Sequence, residues 1–140
     1  MSEKTEAEWG ALAARLAQEV MGCLSWDGLT DEQRMATLAQ SSMSVSVCEN
    51  LWWSWNAERG RAIALVSGKW QPHLDIAQAM MVKDKIVAQR WWFDLHVRPV
   101  HYDPSANFWR PAESPIGGFG KTDAKAICEA AVAWLDREAQ

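Results

Sequence analysis

Along residues 90–103, RWWFDLHVRPVHYD, apolar and polar positions alternate. Trp91, Phe93, Leu95, Val97 and Pro99 fall on one side, and Trp92, Asp94, His96 and Arg98 on the other. That period of two predicts a β-strand with two unlike faces, the odd face for a core and the even face for something else.

The rest of the chain alternates between helical and extended periods. Trp9, Leu12, Leu16 and Val20 have helical spacing and predict a first helix over 5–22, stopped by Gly22. Thr30 followed by Gln33 has the pattern of a capping box and predicts a short helix over 31–40, with Met35, Leu38 and Ala39 on one side. Serines alternating with Met43, Val45 and Val47 predict an extended segment over 42–47. The LWWSW run in 50–56 predicts a strand with Trp53 and Trp55 on one face, since aromatic residues suit a pleated surface. Glu58, Arg59 and Gly60 form a turn into a second strand over 61–66, closing a hairpin. Pro72 and Asp75 introduce a helix over 74–89 with Ile76, Ala79, Met80, Lys83 and Val87 along one side. A short strand is expected over 107–110 and a loop over the Pro- and Gly-rich 111–120. Thr122 then caps a last helix over 123–138, whose stripe is Ile127, Ala131, Trp134 and Leu135.

This order predicts an α+β fold with a mainly antiparallel sheet and helices at both chain ends. The 140 residues suit one domain, and 49% hydrophobic with 23% charged residues suits a globular chain. A net charge of −4 argues against general duplex-DNA binding, which needs a basic stripe. No apolar run approaches the roughly 20 residues of a membrane span, and no signal peptide is expected at the start. Cys23, Cys48 and Cys128 are odd in number and form no CxxC, which predicts reduced thiols in a cytosolic protein.

Tryptophan changes the picture. There are ten, against one Tyr and three Phe, more than so small a core ordinarily uses. Each buries about 150–250 Å² and carries an N–H donor, so some are expected at a binding surface.

Catalytic chemistry finds little support. Asp94 and His96, with His101 and Asp103, suggest a metal site, but Arg98 would stand beside the ion and no further ligand is set by spacing. Nothing ties Cys48 or Cys128 to a histidine. Gly120-Lys121-Thr122 before a helix echoes a phosphate loop, but Pro115 stands where the first glycine belongs. What survives is that the helix start preceded by glycines can hold a small anion through its N–H groups. No enzyme activity, metal or cofactor is expected.

Three segments resemble the phage ABA-sandwich domain family: the first helix ending Val20-Met21-Gly22, the run Pro72-His73-Leu74-Asp75-Ile76-Ala77-Gln78-Ala79, and Ala126-Ile127-Cys128-Glu129-Ala130-Ala131. The resemblance implies a small bacteriophage or prophage protein with a three-layer α/β/α sandwich, and it carries over no reaction. It implies packing roles for Ile76, Ile127 and Cys128. Two departures stand out: His73 and Leu74 where the family has Ser or Thr, and a long segment over 27–50 that reads as an insertion.

The site expected is an aromatic and cationic sheet face: Trp92, Arg98, His96, Asp94, Trp53, Trp55, Arg110 and Trp109. Base stacking on an aromatic ring contributes roughly 1–3 kcal/mol, and arginine adds a fork to phosphate. The partner expected is a small nucleotide-like ligand, such as a host immune signal sequestered in the infected cell's cytoplasm. The alternatives are a host defence protein bound directly, or an accessory phage protein that self-associates.

Overall fold

The computed structural model describes residues 3–66, 70–97 and 103–139. It is α+β, with antiparallel strands and helices at both ends, as the sequence predicts. The strands form two sheets, and the chain divides into two compact units: 1–21 with 71–140, and 22–70. No helix among the described residues is long and apolar enough to cross a membrane.

In the first unit, α1 (Glu6–Glu19) starts on a capping box in which Thr5 and Glu8 satisfy each other's backbone N–H. Its stripe is buried as expected: Trp9, Leu12, Leu16 and, just beyond the helix, Val20. Gly22, which opens the second unit, takes a left-handed φ of 73°. Helix α4 (Ile76–Val87) is capped by Asp75, which accepts from the N–H groups of Ala77 and Gln78. The departure at His73 and Leu74 is thus compensated one residue later. Its buried stripe is Ala79, Val82 and Ile86, rotated from the expected one, and Ile76 is 48% exposed. The packing role implied for Ile76 is therefore corrected. Those implied for Ile127 and Cys128 hold, since both are fully buried. Arg90, expected in the strand, instead turns the chain after α4 with a left-handed φ of 71°.

Strands β3 (Trp92–His96), β4 (Ser105–Trp109) and β5 (Ile116–Phe119) form an antiparallel sheet in that order. Helix α5 (Asp123–Glu138) is capped by Thr122 and packs across β4 and β5. The sheet's inner face carries Phe93 against Phe108, with their ring centres 5.2 Å apart, and Phe108 is registered with Ile116. Strand β5 was expected to be loop. Gly118 is required there because an added Cβ would lie 2.6 Å from the carbonyl carbon of Glu129 in α5. Beyond the strand, Trp91 meets Trp134 edge-on at 6.3 Å and is covered by the Arg110 guanidinium at 4.0 Å from its ring centre.

In the second unit, β1 (Trp52–Asn56) and β2 (Arg61–Val66) form the expected hairpin. Helix α2 (Asp31–Ser41) opens on the predicted Thr30–Gln33 box. Its buried residue is Thr37, whose hydroxyl donates to the Gln33 carbonyl, while Met35 is 72% exposed. Residues 45–48 are not extended: Ser44 caps a single helical turn, α3 (Val45–Cys48), which leaves Val45 and Val47 exposed. A small core of Trp26, Leu29, Cys48 and Trp53 joins these elements, and Leu24 bridges to Trp53 through two backbone hydrogen bonds of 2.6 and 2.8 Å. Residues 27–50 therefore help build this unit's core.

Candidate functional site

The face of the β3–β4–β5 sheet turned away from α5 consists of three rungs set by strand register. Trp92 pairs with Trp109, Asp94 with Asn107 and Gly117, and His96 with Ser105 and Phe119. Strand alternation makes this the even face of the opening stretch. Trp92, Asp94 and His96 are exposed, and the odd positions Phe93 and Leu95 are half-buried.

The first rung is ordered. Trp92 and Trp109 stack with ring centres 5.3 Å apart and planes 18° from parallel. The Trp109 indole N–H donates to Asp94 Oδ2 at 2.7 Å, a charge-assisted bond that fixes the ring. Trp92 remains 60% exposed, so its outer face is free to stack a further planar group. On the third rung Phe119 is 72% exposed. Gly117 lets Asn107 lie flat, because a Cβ there would collide with the Asn107 amide oxygen.

Beside this face, at the end of β5, lies a cleft of about 390 Å³. Trp9, Phe119 and Gly120 contribute its walls, and Glu3, Lys4, Lys121, Asp103 and Glu129 its charges, three carboxylates to two ammoniums. Lys4 Nζ lies 2.8 Å from Glu129 Oε1, and Lys121 Nζ lies 3.9 Å from Asp103. Trp9 is held between partners: His73 stacks on it with ring centres 5.1 Å apart, and the ammoniums of Lys4 and Lys125 each lie 5.7 Å from its ring centre. Lys125 also pairs with Glu3 at 3.0 Å and, mainly through that hydrogen bond, lowers the Glu3 pKa. His73 is buried and its Nδ1 has no partner among the described residues; burial first, and the charge of Lys125 second, push its pKa down.

The expected site residues separate into three groups. Trp92, Asp94, His96 and Trp109 come together on the open face. Trp53, expected to contact ligand, is only 1% exposed and donates its indole N–H to the Cys48 carbonyl at 3.0 Å. It is a core residue of the other unit, where the half-buried Trp55 also lies. Arg110, expected on the cationic face, is engaged on the core side by the Trp91 ring and the carboxylates of Glu113 and Glu138. Arg98 and His101 lie outside the described residues. The reading of the sequence missed Phe119 and the cleft. An IGGF run carries no strand signal, and the cleft joins residues more than a hundred positions apart.

The arrangement suits binding by stacking and hydrogen bonding. Asp94 and His96 are two positions apart on one strand, roughly 7 Å along it. Among the described residues, no cluster of three His, Cys, Asp or Glu side chains could hold a metal ion. Burial raises the Cys128 thiol to about 12, which keeps it protonated and unreactive.

No family model matches this chain, and no curated protein does. Among solved structures, the chain is similar in fold to a phage protein from Bacillus cereus ATCC 14579, at a TM-score of 0.56 and 13% identity, over 97% of this chain and 94% of that one.

Proposed function

We propose that this is a bacteriophage protein that acts by binding, holding a planar, nucleotide-type ligand on the open face of the β3–β4–β5 sheet. The observation that carries the reading is the Trp92–Trp109 stack, fixed by Asp94 and left open on the outer face of Trp92. A nucleobase stacked on Trp92 would extend an existing pile of rings. The free oxygen of Asp94 would accept from a base amino group. The likeness to the Bacillus cereus phage protein supports a phage origin through the fold. In that setting a binder without turnover would lower the free concentration of a host nucleotide signal in the cytoplasm of the infected cell.

Thermal unfolding with a panel of linear and cyclic nucleotides tests this. A ligand at 100 times its dissociation constant adds about 2.7 kcal/mol of stability. A panel that shifts nothing would remove the reading. The second reading, direct capture of a host defence protein, rests on the same exposed Trp92 and Phe119, since aromatic side chains anchor protein interfaces. Its signature would be recovery of one host protein by wild-type chain and its loss with Trp92→Ala.

A further inference from the structure

Exposed apolar side chains gather on one side of the first unit. Among the described residues, six of the twelve large apolar side chains that stand exposed lie on or just beside α4 and β3: Leu74, Ile76, Met81, Val87, Trp92 and Val97. Such a concentration marks an interaction surface.

Strand β3 is the outer strand of its sheet, and no other described strand pairs its free edge, which makes that edge a template for a further strand. Helix α4 is phased to cover one. Ile76, Met80, Lys83 and Val87 follow one another at intervals of three or four and so share a face. Lys83 Nζ lies 5.8 Å from the centre of the Phe93 ring, so this is the face turned toward β3. The sheet ends at β3, and Ile76 and Val87, at the two ends of that face, remain exposed.

We propose that a second copy of this chain supplies the missing strand. The two β3 strands pair antiparallel about a twofold axis, joining two three-stranded sheets into one of six strands, with an α4 from each copy over the seam. This goes beyond the ligand reading and does not rest on it.

The residues of β3 select the register. An axis through Leu95 sets Phe93 opposite the partner's Val97 on the inner face and Asp94 opposite the partner's His96 on the outer face, each twice over by symmetry. Side chains directly opposite have Cβ atoms about 4.5–5.5 Å apart, close enough for an imidazole N–H to donate to the Asp94 oxygen that Trp109 does not use. An axis through Asp94 would instead set that carboxylate against its own copy, a destabilising pair of like charges. Pairing over 93–97 leaves Trp92 just outside it, so each copy keeps its Trp92–Trp109 stack at an end of the seam. The opposite edge, β5, is the poorer seam, because Gly117 and Gly118 offer no side chains to pair.

Sedimentation velocity of the full chain over a concentration series tests this. The expected result is a reversible dimer of twice 15.8 kDa. His96→Asp sets acid against acid on both sides of the axis and should raise the dimer dissociation constant by roughly tenfold or more. His96→Lys keeps opposite charges face to face and should preserve the dimer. Ile76→Arg should weaken it from the helix layer, and this exposed position decides the matter if the circular dichroism spectrum shows that His96→Asp does not fold. Phe119→Ser, on the far edge of the sheet, should leave the dimer unchanged. A wild-type chain that sediments as a monomer at every concentration would overturn the proposal. So would a dimer that Ile76→Arg and a folded His96→Asp leave untouched, or one that Phe119→Ser dissociates. None of these results bears on the stacking reading, which the nucleotide panel tests separately.

Discussion

Gly118→Ala tests how the site-bearing sheet is held. Gly118 faces α5, and a Cβ built there lies 2.6 Å from the Glu129 carbonyl carbon and 2.7 Å from the Glu129 Cβ, with the Ala130 backbone nitrogen closer still. The first distance is about 0.9 Å inside the ~3.5 Å at which carbon atoms make good contact. The obstructing atoms are mostly helix backbone, so no rotamer change can relieve them. Either β5 moves off α5 or the helix shifts, and both loosen contacts at Phe108, Ile116 and Ile127, which are at most 7% exposed. Such overpacking costs about 1–3 kcal/mol. For a chain of this length that lowers Tm by about 3–12 °C.

The control is Gly10→Ala on the exposed side of α1, where a Cβ meets nothing within 4 Å. Alanine is better than glycine in a helix by roughly 0.5–1 kcal/mol, so this variant should be more stable than wild type. Equilibrium denaturation followed by tryptophan fluorescence reads both. If Gly118→Ala were as stable as wild type, or if both variants moved the same way, the account of β5 against α5 would be refuted.

Other perturbations separate packing from recognition. Trp53→Ala should cost about 3–5 kcal/mol as a core deletion. Trp92→Ala, which loses one exposed ring pair, should cost under about 1.5 kcal/mol in the same denaturation assay. Because the folded pKa of His73 lies below its unfolded value, the unfolded chain binds the extra proton first as pH falls through about 6.5. The stability contribution of His73 is then complete above that pH and is lost as pH drops below it toward the folded pKa. His73→Phe should flatten this part of the curve of stability against pH. Cys23, Cys48 and Cys128 are all buried, so a disulfide-exchange reagent at pH 8 should label none of them in the native protein and all three in denaturant. Immediate reaction of Cys128 in the native state would contradict the thiol pushed up to about 12.

Local signals carried much of the fold. Helix α5 has the predicted bounds because Thr122 and the stripe through Leu135 agree about where it begins and what it buries. The Thr30–Gln33 box and the hairpin turn are likewise written in adjacent residues. The misreadings arose where tertiary contact decides. Gly117 and Gly118 read as loop, yet they stand in a strand because Asn107 and α5 occupy the space where their side chains would go. The α4 stripe was misphased because its apolar residues cover more than one face, and only packing selects Ala79, Val82 and Ile86 over Ile76. For the site, the alternation of 91–97 correctly separated the exposed Trp92, Asp94 and His96 from the more buried side. It could not show that Trp53 is spent on a core or that Arg110 covers Trp91.

The ten tryptophan indole N–H groups supply the direct test of the stacking face. In a nitrogen–proton correlation NMR spectrum, addition of a nucleotide that shifts thermal stability should displace the indole signals of Trp92 and Trp109. The signals of Trp53, Trp91 and Trp134, each at most 4% exposed, should stay in place. Displacement confined to tryptophans other than Trp92 and Trp109 would contradict a ligand on the β3–β4–β5 sheet.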